Sequence, residues 1–214
     1  MTINFENLSS IHRNLNNFSE CNLLIVSKNQ TTQDISSLLS LGYRIFGENR
    51  VQEAEKKFND KLFSHYPDLK LHLIGPLQSN KVHLALNRFN TIQTLDREKI
   101  IDAIAKEIRK TETQVKTKNF FIQINIGEEN QKSGIPPLET KRFYEYAIDL
   151  KLNIVGFMCI PPQDSNPKEH FQKMLKIKNS INPKLLLSMG MSNDYLAALE
   201  LGSNIIRVGS KIFQ

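Results

Sequence analysis

The sequence predicts an α/β chain folded as a single-domain (β/α)8 TIM barrel over residues 1–214, with an extra helix at its N-terminus. Three observations carry this. Short apolar runs recur along the chain, each followed by apolar residues at helical spacing. The alternation completes eight strand-then-helix units, which points to a closed parallel barrel. No linker or long low-complexity tract divides the chain. An open doubly wound sheet is the rival, but it normally has fewer strands.

Phe5, Leu8, Ile11, Leu15 and Phe18 fall at steps of three and four and predict an opening helix over 5–18. The run Leu23-Leu24-Ile25-Val26 is the first strand. Thr31-Thr32-Gln33-Asp34 then signals a helix start, and Gly42 its stop. Residues 43–46 are the second strand, and Val51, Ala54, Phe58 and Leu62 predict one helix after it. The third strand, 71–74, precedes a helix carrying Val82, Ala85, Leu86 and Phe89. The fourth, 91–95, leads to a helix capped by Asp96 and faced by Ile100, Ile101, Ile104 and Ile108. A strongly β-branched fifth strand covers 120–126, and Pro136-Pro137 suits the first turn of a helix reaching about Leu150. The sixth strand, 153–160, is followed by a helix with Phe171, Met174, Leu175 and Ile177. A short seventh strand, 185–187, precedes a helix over 193–201 that Gly202 ends, and residues 205–208 are the eighth strand.

A chain of 214 residues is long enough to bury a large core. With 40% hydrophobic and 23% charged residues, its composition is that of an ordinary globular protein. The formal charge of +6 invites a nucleic-acid reading, but the basic residues are scattered and tracts such as 106–110 are interrupted by acids. A solvated face is expected, with no specific nucleic-acid partner. Cys21 and Cys159 stand at no metal-ligand spacing, so neither a metal site nor a disulfide framework is expected. Without a basic-then-apolar leader or an apolar run of membrane-spanning length, a cytoplasmic protein with no membrane partner is predicted.

In such a barrel the site is built by the loops at the C-terminal ends of the strands. Lys28 follows the first strand there. At a barrel mouth its ammonium would be partly desolvated, leaving an amine able to attack an aldehyde. The plainer alternative is a stem that covers apolar surface while its head reaches water. Ser188 ends the seventh strand, and Ser192 is placed as the N-cap of the next helix, where free N–H groups favour an anion. Beyond the eighth strand, Arg207-Val208-Gly209-Ser210 contains a glycine that lets a ligand approach the backbone. The loops after strands seven and eight are the recurrent phosphate site of such barrels, so a phosphate ester is one reading; a helix cap and a simple turn are the other. Asn49, in Gly47-Glu48-Asn49 after the second strand, is either a donor to a ligand oxygen or a helix cap. His72 alternates within the third strand, and the loop 74–81 beyond it is either a rigid wall or a contact site, with a purely structural role the plainer reading. No Ser/His/Asp order, Walker loop or paired histidine ligands emerge.

Five stretches, in chain order, resemble the signature blocks of the YggS/PROSC family of pyridoxal phosphate homeostasis proteins. They are Leu23-Leu24-Ile25-Val26-Ser27-Lys28, Phe46-Gly47-Glu48-Asn49-Arg50-Val51-Gln52-Glu53, His72-Leu73-Ile74-Gly75-Pro76-Leu77-Gln78-Ser79-Asn80-Lys81, Leu187-Ser188-Met189-Gly190-Met191-Ser192 and Arg207-Val208-Gly209-Ser210-Lys211-Ile212-Phe213. Shorter likeness lies at Gln123-Ile124-Asn125-Ile126, Lys132-Ser133-Gly134 and Gly156-Phe157-Met158. Together they cover nearly the whole chain. The resemblance implies an alanine-racemase-like, fold-type III barrel that holds pyridoxal 5'-phosphate as a Schiff base on Lys28. It also implies that Asn49 lies beside the cofactor ring, that Ser192, Gly209 and Ser210 bind the phosphate with Ser188 nearby, and that Arg207 faces the pyridine nitrogen. A guanidinium stays protonated, so it donates to that nitrogen without protonating it, and the ring becomes a poorer electron sink. Ser210 stands where the family usually has threonine, which keeps the hydroxyl.

A racemase-like enzyme dependent on the same cofactor is the alternative, since it would share Lys28 and the phosphate site. Racemisation needs an acid/base group on each face of the substrate. Racemases of this barrel type take one from a tyrosine at a dimer interface and carry a C-terminal β-domain, and no such second domain is expected here. The resemblance therefore implies a monomeric, non-enzymatic carrier in vitamin B6 homeostasis, with pyridoxal phosphate as ligand and dependent apo-enzymes as recipients.

Overall fold

Strands buried on both faces need near-continuous apolar sequence, and the apolar runs of this chain become such strands. In the computed structural model, which describes residues 3–110 and 115–213, they are β1 (Asn22–Val26), β2 (Ile45–Glu48), β3 (Lys70–Leu73), β4 (Thr91–Leu95), β5 (Asn119–Ile124), β6 (Ile154–Cys159), β7 (Leu186–Ser188) and β8 (Ile205–Val208). Each pairs in parallel with the next, and β8 pairs with β1 through Leu24↔Arg207 and Ile25↔Val208, closing the barrel.

The helices are α1 (Phe5–Leu15), α2 (Thr32–Ser40), α3 (Val51–Lys57), α4 (Asp60–His65), α5 (Val82–Arg88), α6 (Glu98–Lys110), α7 (Thr140–Asp149), α8 (Pro167–Ile181) and α9 (Tyr195–Glu200). The additional helix α1 is tied to the end of the chain. The Asn4 backbone N–H donates to the Ile212 carbonyl at 2.7 Å, and Asn7 Nδ2 donates to the Lys211 carbonyl at 2.9 Å. Among the described residues, no helix is long and apolar enough to cross a membrane.

Several predicted boundaries shift for local reasons. The second strand begins at Ile45, not at residue 43, because the Gly42 and Tyr43 backbone N–H groups turn back to the Leu39 and Leu38 carbonyls and cap α2. The strand therefore extends to Glu48. The single helix predicted through Val51 and Leu62 is two. Phe58 leaves helical geometry and buries its ring 5.7 Å from that of Phe46, and the Asn59 side chain then accepts from the Leu62 N–H to start α4. Asp96 follows β4 with its carboxylate against Arg97, and α6 begins two residues later, at Glu98. Ser192 is not an N-cap, since α9 starts at Tyr195 with Asp194 before it.

Strand alternation decides what fills the barrel. Leu24, Phe121, Met158 and Ile205 form a small apolar cluster of their own, whereas their neighbours Ile25, Ile122, Phe157 and Ile206 join the large core shared with the helices. Successive strand residues face opposite sides, so the first set fills the interior and the second packs outward. The same alternation turns His72, Gln93, Ser188 and Arg207 inward, because Leu71, Leu73, Ile92, Leu187 and Val208 belong to the outer core.

Candidate functional site

The inward polar side chains meet near the C-terminal ends of the strands. Arg207, in β8, is buried and donates from NH1 to Ser188 Oγ of β7 and from NH2 to the Cys159 carbonyl of β6, each at 2.8 Å. Neither acceptor carries a charge. Burial pushes the guanidinium pKa down, against smaller opposing effects of Cys159 and Asp194. A buried cation that, among the described residues, is bonded only to neutral acceptors leaves room for a ligand that offers another acceptor or a negative charge.

Two hydroxyls converge beyond the strand ends. Ser210 Oγ donates to Ser192 Oγ at 2.9 Å, which joins the loop after β8 to the loop after β7. Asp194, the residue before α9, gives the helix no side-chain cap, and its carboxylate accepts instead from the Met191 N–H; Ser192 lies three residues before the helix, where its hydroxyl accepts from Ser210. Because α9 has only six residues, an anion here would rely on these hydroxyls and loop backbone rather than on a helix dipole. Gly209 belongs to the same wall. A Cβ there would come within 2.9 Å of the Val26 carbonyl, so only glycine lets β8 leave the barrel this close to β1.

Lys28 lies two residues past the end of β1, in a turn in which the Gln30 N–H donates to the Ser27 carbonyl at 3.1 Å. The pairing Val26↔Gly47 carries Lys28 and Asn49 to the same level beyond β1 and β2. The predicted desolvation of Lys28 is not met by the protein's own walls, since the side chain is exposed. Asn49 is half-buried, and its backbone presses on Gly75, where no Cβ would fit. The loop after β3 is pinned in turn by Thr94, which donates to the Gly75 carbonyl, and by Arg97, which donates to that of Leu77.

Ser188 takes a different place from the one the sequence predicts. Its hydroxyl accepts from Arg207 and donates to Gln93 Oε1 at 2.6 Å, so it touches the interior rather than the hydroxyl pair above it. Gln93 Nε2 lies 2.9 Å from His72 Nδ1. Sequence reasoning missed Gln93 as a site residue, although a buried amide in the middle of an apolar strand is an available signal. Burial lowers the His72 pKa to about 3, with a smaller contribution from Lys70.

This has a measurable consequence. The unfolded chain protonates His72 near pH 6.5, and the folded chain resists protonation down to about 3. Stability from this ring is therefore present above pH 6.5 and lost as pH falls, by about 1.4 kcal/mol for each unit below 6.5. Urea midpoints between pH 7 and 5 are expected to fall more steeply for the natural chain than for His72→Gln; parallel slopes would contradict the buried neutral ring.

A second buried network lies between β1, β2 and α3. Lys57 Nζ sits 2.6 Å from Glu48 Oε1 and donates to the Ser27 carbonyl at 2.8 Å, while Ser27 Oγ donates to Glu48 Oε1 at 2.7 Å. Glu48 is fully buried, and its Oε2 has no hydrogen-bond partner among the described residues. Burial raises the Glu48 pKa, against the lowering effects of Lys57 and Ser27. The network grips the backbone immediately before Lys28. A cleft of about 670 Å³ lies on the outer wall, lined by Thr32, Ser36, Lys57 and residues of α4, and none of the sequence-predicted site residues borders it. Among the described residues, no cluster of three or more His, Cys, Asp or Glu side chains could hold a metal ion.

The family model for the alanine racemase N-terminal domain matches residues 5–214. A protein of Aquifex aeolicus named pyridoxal phosphate homeostasis protein is 34% identical over 200 residues, which is 89% of this chain and 85% of that one. The chain belongs to the pyridoxal phosphate homeostasis protein family. A second member, from Haemophilus influenzae, is 38% identical over 201 residues, covering 89% of this chain and 83% of its own. Among solved structures, PipY of Synechococcus elongatus with PLP bound superposes with a TM-score of 0.82 at 29% identity, over 98% of this chain and 99% of that one. Alanine racemase of Clostridium difficile shares the fold, with a TM-score of 0.72 at 15% identity over 99% of this chain and 57% of the racemase. For this member of the homeostasis family, the structure brings Lys28, Asn49, Ser192, Arg207, Gly209 and Ser210 to one end of the barrel and moves Ser188 to a supporting position beside Arg207.

Proposed function

We propose that this chain binds pyridoxal 5'-phosphate at the barrel mouth through Lys28 and serves in intracellular vitamin B6 homeostasis. The observation that carries the reading is Arg207: a buried guanidinium bonded, among the described residues, only to neutral acceptors, on the strand paired with the one that Lys28 follows. The group fits these residues. Pyridoxal phosphate supplies an aldehyde that condenses with an amine to a Schiff base, with release of one water, together with a phosphate dianion and an aromatic ring nitrogen. Lys28 provides the amine, and its exposure leaves it accessible to an incoming aldehyde. Ser192 and Ser210 would provide hydroxyl donors for the phosphate, Gly209 would allow close backbone approach, Asn49 would stand beside the ring, and Arg207 would donate to the ring nitrogen. Ser188 acts through Arg207.

One barrel domain over residues 1–214 carries this role, as a cytoplasmic monomer that passes its cofactor to dependent apo-enzymes. Reversible loading and release require no acid/base pair across a substrate, so turnover at enzyme-like rates is not expected. The test is reductive trapping. Protein incubated with pyridoxal phosphate and treated with borohydride should gain one pyridoxyl phosphate mass, located by peptide mapping on Lys28. Adduct on a different lysine, or none, would overturn the assignment; efficient racemisation or decarboxylation of common L-amino acids would overturn the carrier role.

A further inference from the structure

The interior hydrogen bonds have a direction that the chemistry of their members dictates. Arginine only donates, so Ser188 Oγ accepts from Arg207 NH1. The single hydroxyl hydrogen of Ser188 is then given to the atom of Gln93 that faces it at 2.6 Å, which must be the carbonyl oxygen. The Gln93 amide nitrogen consequently faces His72 and donates to Nδ1 at 2.9 Å. His72 Nδ1 is therefore a lone pair, and the ring is neutral with its hydrogen on Nε2. The opposite orientation of Gln93 would set its NH2 against Ser188 and leave the serine hydrogen without that acceptor. One arginine thus determines the tautomer of a histidine three hydrogen bonds away, across a buried interior.

We propose that Gln93 and His72, acting through Ser188, are positioning residues for Arg207: the relay holds the guanidinium as a donor at the floor of the barrel mouth and commits each hydrogen along it. The proposal rests on the cofactor reading of that mouth. Its consequence is that the floor donates a hydrogen bond to a ligand ring nitrogen but has no spare proton to transfer, which suits a protein that holds and releases its cofactor. The Cys159 carbonyl fixes the other arm of the guanidinium, so the two acceptors together define its plane.

Two measurements test it. Ring-nitrogen NMR shifts of His72 in the purified chain, without cofactor, are expected to show the neutral Nε2–H tautomer at neutral pH, and Ser188→Ala should disturb that pattern by releasing Gln93. In cofactor titrations, Gln93→Leu and His72→Leu are expected to weaken pyridoxal phosphate binding about tenfold, the equivalent of one buried hydrogen bond, and to move the visible band. His72→Gln keeps an acceptor for Gln93 and should restore both. A merely structural role would lower the melting temperature of His72→Gln and His72→Leu without separating them in the spectrum, and that outcome overturns the proposal. An Nδ1–H tautomer in a chain that still binds the cofactor overturns the relay and leaves the cofactor reading standing. The expected tautomer in a chain that forms no cofactor band overturns the positioning role together with that reading.

Discussion

Lys28→Ala protein, mixed with pyridoxal phosphate, is expected to lack the visible-edge absorption band of the natural chain and to release its cofactor on gel filtration. The covalent attachment proposed for Lys28 has no substitute in the remaining contacts. Two hydroxyls, a glycine backbone and one guanidinium would hold a free ligand only through exchangeable hydrogen bonds, each of which replaces a bond to water. Apparent affinity is therefore expected to fall by at least about a hundredfold, or ~2.7 kcal/mol. The fold should be indifferent to the change. Lys28 is exposed in a surface turn, and substitutions at such positions usually alter stability by no more than about 0.5 kcal/mol. Far-ultraviolet circular dichroism and the urea midpoint thus provide the control. An unchanged band in the variant would remove Lys28 from the site.

The second large effect concerns stability. Lys57→Met leaves the Glu48 carboxylate, fully buried and with one oxygen already unpartnered, without its cation. Breaking a buried pair from one side costs about 3–5 kcal/mol, because an uncompensated charge stays in the interior. The double variant Glu48→Gln with Lys57→Met removes both charges and should recover much of that loss. The pH dependence has a definite sign. Burial already raises the Glu48 pKa, and a raised folded-state value means that stability is present at low pH and lost as pH rises through it. Without Lys57 that rise is larger, so the deficit should be greatest at neutral pH and shrink on acidification as Glu48 takes up a proton. Chemical denaturation of the single and double variants at pH 7 and pH 5 measures this. A cost below about 1 kcal/mol, the scale of a surface ion pair, would show that the pair is not effectively buried. Because Lys57 also donates to the Ser27 carbonyl, the same variant should loosen the turn that carries Lys28 and weaken cofactor retention.

The boundaries that moved did so where two local signals competed. Residues 43 and 44 are compatible with a strand, but the cap of α2 consumes the Tyr43 N–H before pairing begins. Val51, Ala54, Phe58 and Leu62 fit one helical face, but Asn59 followed by Asp60 is a helix start in its own right and wins once Phe58 is buried against Phe46. Ser192 and Asp194 are both good caps by residue type. The helix starts only at Tyr195, after Asp194, whose carboxylate turns back to the Met191 N–H, and that later start leaves Ser192 in the loop beside Ser210.

Lys28 after β1, Asn49 after β2, and Ser192, Gly209 and Ser210 after β7 and β8 were legible because a barrel with eight local strand-helix units places every post-strand loop at one end. Apolar periodicity determines those units within a few residues of chain, so the sequence by itself determined the architecture and the end of the barrel where the candidate site lies. What only the tertiary structure decided are the pairings across the barrel. Gln93 and Ser188 are separated by 95 positions in sequence, Arg207 and Cys159 by 48, and Lys57 and the Ser27 carbonyl by 30. No local pattern encodes such partners, because closure and register set which inward side chains share a level. Burial then requires each of those polar atoms to find the neighbour that closure provides.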